Sequence, residues 1–147
     1  MDRDTTAGGA DDWFRRARVV WAAMFTAIGL YGLVLMLVTG DGAAGEPVPQ
    51  LRAALIALAV ASCAASWLVH RRILPRAATP GLPARGDEAE QQQRFTLAVL
   101  SWGFAETVAL YGFVLALIER SPWEAATFFV VAVLALLATR PRPELFR

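Results

Sequence analysis

Four long apolar runs dominate this chain: Val19–Thr39, Leu51–Val69, Phe95–Ile118 and Trp123–Thr139. A bilayer core of about 30 Å is crossed by about 20 helical residues, with a usual range of about 17–25. The first three runs meet that length comfortably, and the fourth sits at its short end. Composition agrees: 56% of the 147 residues are hydrophobic and only 18% are charged. A soluble domain of this length needs more polar surface than that. The expected fold class is an all-α membrane protein, with residues 1–147 forming a single four-helix membrane domain.

Arginine sets the expected topology, since the chain has no lysine. Arg3, Arg15, Arg16 and Arg18 precede the first run. Arg71, Arg72, Arg76, Arg85 and Arg94 lie between the second and third, and Arg140, Arg142 and Arg147 follow the fourth. The other two connections hold only Arg52 and Arg120. Basic residues accumulate on the cytoplasmic side of a membrane protein, so both termini and the central loop, residues 71–93, are expected in the cytoplasm. These arginines are interleaved with acids, unlike the clustered, unopposed basic surface that binds nucleic acid. Cys63 is the sole cysteine, which rules out an internal disulfide and a thiolate metal site. Residues 1–12, rich in Gly, Asp and Thr, are expected to be disordered. Their acids are wrong for the n-region of a cleaved signal peptide. Pro122 suits the first turn of a helix, and Pro141 and Pro143 end the last one.

An internal repeat runs through the apolar segments. Thr26-Ala-Ile-Gly-Leu-Tyr31-Gly32 returns as Glu106-Thr-Val-Ala-Leu-Tyr111-Gly112, and residues 30–37 match residues 110–117 at six of eight positions. Leucine and valine matches are cheap in membrane spans. The tyrosines are more telling, because Tyr31 and Tyr111 are the only two in the chain. The reading is two tandem helical hairpins in the same orientation, a parallel repeat about an axis along the membrane normal. Small residues mark helix contacts: Ala57, Ala61 and Ala65 on span two, with Ser62 and Ser66 beside them, and Ser101, Ala105 and Ala109 on span three. Helices in lipid associate by close approach at such stripes.

Glu106 interrupts an otherwise apolar run. Helical rise places it about 18 Å along a span of about 36 Å, at the midplane. A charge there costs roughly 2.5–3.5 kcal/mol on insertion scales. Desolvation disfavours the charged form of a carboxyl, so Glu106 is expected to be neutral and to face other helices. Thr26 and Ser62, at similar depth, are its candidate hydrogen-bond partners. His70 falls near the end of span two and is expected at the interface. No Ser/His/Asp set, metal cluster, Gly-rich phosphate loop or pair of intramembrane carboxylates is visible. The expectation is a non-enzymatic chain without metal or cofactor.

The stretch Phe104-Ala-Glu106-Thr-Val-Ala-Leu-Tyr111-Gly112-Phe-Val-Leu-Ala-Leu117 resembles the carboxylate helix of the rotary ATP synthase proteolipid, the c subunit. In that family a glutamate is followed five residues on by Tyr-Gly and an aliphatic run. The resemblance implies that Glu106 carries a proton in a ring. The chain departs from the family in its long central loop and its extra helix on each side of the matching pair. As a whole it resembles small uncharacterised bacterial four-span membrane proteins, which implies the bacterial cytoplasmic membrane. Three functions remain open: a module that binds a second copy or another membrane protein, with Glu106 as an interhelical polar group; a proton- or cation-handling protein related to the proteolipids; and an accessory or assembly factor of a larger membrane complex.

Overall fold

The computed structural model describes residues 5–39, 45–73 and 87–142. These form four helices: α1 (Thr5–Thr39), α2 (Pro49–Leu68), α3 (Asp87–Glu119) and α4 (Pro122–Ala138). A wide π-type turn, Val69–Ile73, follows α2. No strand occurs among the described residues. Three of the helices are long and apolar enough to cross a membrane, and the apolar α4, at 17 residues, is shorter.

The helices end where the apolar runs do, at Thr39, Leu68, Glu119 and Ala138, but two begin earlier. α1 starts at Thr5, so residues 5–12 are helical where disorder was expected. Residues 1–4 lie outside the described part, as do 40–44, 74–86 and 143–147. The physical reason is that an apolar run marks the lipid-embedded part of a helix, whereas the backbone hydrogen-bond ladder continues into water wherever residues permit. α3 extends in the same way, through the polar segment from Asp87 to Gln93.

α3 is the central helix. It packs against α1, α2 and α4, whereas α1 and α2 share almost no contact. It also supplies more of the buried apolar side chains than any other helix, including Ala98, Trp102, Ala105, Val108, Ala109 and Leu115. The small residues Ser101, Ala105 and Ala109 are fully buried, which lets neighbouring backbones approach. α1 and α3 run in the same direction: Trp13 stacks on Phe95 near one end, and Tyr31 on Phe113 further along. α2 and α4 run oppositely, since Ser66 meets Ser101 and Arg52 meets Glu119, while Trp102 meets Thr139.

Polar ties join the helices on the side that carries the start of α1 and the end of α4. The last carbonyls of a helix have no partner within it. Two indoles supply the need: Trp21 Nε1 donates to Leu136 O at 3.0 Å, and Trp102 Nε1 donates to Thr139 O at 2.7 Å. Between α2 and α3, Ser66 Oγ donates to Ser101 O at 2.9 Å and Ser101 Oγ donates to Ser66 O at 3.2 Å. A hydroxyl in an apolar medium is costly without a partner. The serine side of α2 therefore turns inward, and Ala57 and Ala61 are left exposed on the outer face.

Candidate functional site

Glu106 lies on α3 and faces α1. Tyr31 Oη donates to its Oε1 at 2.9 Å, across a part-buried helix contact. The Tyr31 ring is held by Phe113, with ring centroids 5.6 Å apart. Side chains on a helix lean toward its N-terminus, so the long tyrosine reaches back to the level of the carboxyl. Glu106 thus engages its own bundle, with a phenol as its hydrogen-bond partner.

This corrects the expected partners. Thr26 is exposed, and its Oγ1 donates to Ala22 O of its own helix at 2.9 Å. Ser62 is buried, one turn from Ser66. Neither hydrogen-bonds Glu106 among the described residues. The reason lies in helix rotation. At about 100° per residue, Thr26 and Tyr31 sit roughly 140° apart around α1, so turning the tyrosine toward α3 turns the threonine away. Tyr31 was marked in the sequence as a repeat residue and missed as a partner. Its phenol was a signal, as a strong donor at membrane depth, but its direction was not readable from one helix.

The other repeat residues part company too. Tyr111 is half-buried against the core. Gly112 meets α4 so closely that a Cβ there would lie 2.5 Å from Phe128 Cβ. At Gly32 a Cβ would lie 3.6 Å from the Phe129 ring, an ordinary contact. Adjacent phenylalanines of α4 therefore sit on the two repeat glycines, one tightly and one loosely.

A second polar centre closes the opposite end of the bundle. Glu119, the last residue of α3, is 3% exposed. Arg52 Nη2 bonds its Oε2 at 2.6 Å and Glu124 Oε1 at 3.1 Å, and Val48 N donates to Glu119 Oε1 at 3.2 Å. Gly45 N donates to Glu119 O at 2.8 Å. The chain turns from α3 to α4 through Arg120 in the left-handed region, φ 49°, with Ser121 N donating back to Ala116 O at 3.1 Å. That is the backbone pattern by which helices commonly end. Arg52 was read in the sequence only as one of two arginines on this side. Its carboxylate partners flank the short α3–α4 connection and are distant from it in sequence.

Among the described residues no three His, Cys, Asp or Glu side chains gather as metal ligands. His70 is half-buried in the π turn after α2. No protein family matches the chain, and neither does any curated protein or solved structure.

Proposed function

We propose that this chain is a non-enzymatic integral membrane protein whose task is to associate, with a second copy of itself, through the outer face of α2. The observation that carries this reading is the face itself. Ala53, Ala57, Ala61 and Ala64 are all exposed there. Lipid chains gain little from small side chains, whereas a partner helix gains close approach. Beside this stripe lies an apolar groove of about 520 Å³ between α2 and α4, floored by Val108 and Leu115 of α3. In this reading the chain belongs to the bacterial cytoplasmic membrane. Both termini are cytoplasmic in this reading, which the arginine distribution favours, and the four helices are read as two tandem hairpins in one orientation. Glu106 serves as an interhelical hydrogen-bonding group that fixes α1 on α3. A larger membrane complex that the chain helps to assemble would use the same face.

A second reading has its own observation. Among the described residues the carboxyl of Glu106 meets a phenol, Tyr31, and no cation. Together with the proteolipid-like segment, this favours proton handling.

One preparation tests both readings. The protein is purified in mild detergent, its mass is measured, and it is reconstituted in liposomes for proton-flux assay. Self-association predicts a small oligomer that Ala57→Ile with Ala61→Ile converts to monomer, and no flux. A monomeric wild-type chain defeats that reading. Flux that disappears in Glu106→Gln establishes the second.

A further inference from the structure

A groove of about 630 Å³ runs between α1 and the end of α4, on the side of the bundle opposite the Arg52–Glu119 centre. Its walls include Phe14, Arg15, Arg18, Trp21, Arg140 and Pro141. The volume lies within the range of about 300–1,000 Å³ typical of ligand pockets. The chemistry is divided. Phe14, Val19, Trp21 and Ala22 make a predominantly apolar wall. At its edge stand three exposed guanidinium groups, contributed by two helix ends that are far apart in sequence. Arg18 stacks over the Phe14 ring at 5.8 Å, which holds its charge beside the apolar wall. Among the described side chains, the acid next to this rim is Asp12, in an exposed pair with Arg15 at 3.1 Å. Of these side chains, one carboxylate stands against three guanidiniums, and they leave the rim positive.

An apolar trough with a cationic rim, beside a helix long enough to cross a membrane, matches one class of molecule: an amphiphile with an acyl chain and an anionic head. We propose that this groove binds an anionic glycerophospholipid. Its phosphodiester lies among Arg15, Arg18 and Arg140, and an acyl chain lies along Phe14, Val19 and Trp21. Arginine suits this role, because its planar fork bonds phosphate oxygens in pairs. The bound lipid bridges α1 to the end of α4, where Trp21 already reaches the Leu136 carbonyl. The site is independent of self-association, which uses α2 on another face.

The test is lipid retention by the full chain in detergent, read by native mass measurement. Phosphatidylglycerol and phosphatidylcholine with identical acyl chains are the probes. The expected result is selective retention of phosphatidylglycerol. Each arginine near an anionic head contributes about fivefold, so Arg18→Gln with Arg140→Gln should weaken phosphatidylglycerol retention by roughly 25-fold. Phosphatidylcholine should be unaffected, and Arg120→Gln, at the opposite end, should leave retention unchanged. Millimolar inorganic phosphate should not displace the lipid, since it lacks the acyl chain. Equal retention of the two lipids overturns the proposal, as does displacement by phosphate alone or an equal loss in Arg120→Gln. If the double variant does not fold, a salt titration of the wild-type protein decides. The preference must fall as salt screens the arginines, and a salt-independent preference overturns the proposal.

Discussion

The segment around Tyr31 and the segment around Tyr111 share a sequence pattern but live in different surroundings. On α1, at the edge of the bundle, Thr26 faces outward and bonds its own backbone, Tyr31 faces α3, and Gly32 meets α4 with room to spare. On the central α3, Glu106 faces α1, Tyr111 packs into the core, and Gly112 is pressed against Phe128. The contrast teaches that a repeated motif need not be a repeated site. Position in the bundle decides which residue of the motif is put to use. The edge helix uses its tyrosine and the central helix uses its acid and its glycine.

The glycines offer the largest way to break this comparison. In Gly112→Ala the new methyl collides with the Phe128 stem, where nothing flexible can give. Overpacking of this kind costs about 1–3 kcal/mol, and the upper part of that range is expected. Gly32→Ala should be neutral or stabilising by up to about 1 kcal/mol, from the better helix propensity of alanine. Equilibrium unfolding in mixed micelles measures both. Equal losses would show that the two glycines are equivalent after all.

The tryptophans come next. Trp102 on α3 is 1% exposed, while Trp21 on α1 is only half-buried, and each indole donates to a carbonyl at the end of α4. Leaving a buried carbonyl unpartnered costs about 1–3 kcal/mol. Trp102→Phe should therefore lose about 2 kcal/mol, and Trp21→Phe distinctly less, because water or lipid headgroups can reach its carbonyl. The same unfolding measurement ranks them, and the reverse order would remove α3 from the centre of the stability argument.

The smallest effect is the most specific. Tyr31→Phe removes the hydroxyl that meets Glu106 and nothing else. Interhelical hydrogen bonds in lipid contribute about 0.6 kcal/mol on average and up to about 1.7, so a loss in that range is expected. Tyr111→Phe should change stability by less than the error of the measurement. A double variant, Tyr31→Phe with Glu106→Gln, should cost no more than the worse single one. Full additivity would mean that the two side chains act separately.

Much of this architecture was readable from hydropathy alone, because lipid demands long apolar runs and little else satisfies it. The ends in water were harder. Nothing in the apolar pattern says that α1 reaches back to Thr5, since a helix in water is held by local backbone bonds rather than by hydrophobicity. Glu106 stood out for the same reason that the spans did: a carboxyl among leucines is conspicuous. Its partner did not stand out, because a sequence gives the depth of a residue and its angle on its own helix. It does not give the rotation of one helix against another. That missing angle separates Tyr31 from Thr26. The Arg52–Glu119–Glu124 centre was hidden differently, with its members distributed over two connections that only folding brings together.

The near absence of contact between α1 and α2 also bears on assembly. Chains are made from the N-terminus, and earlier segments leave the ribosome first. In a chain inserted in that order, α1 and α2 would find little surface on each other before α3 arrived. Until then the hydroxyl of Ser66 and the phenol of Tyr31 would lack the partners on α3 that they meet in the bundle. The third helix is the keystone of the bundle, since the first two touch it far more than they touch each other.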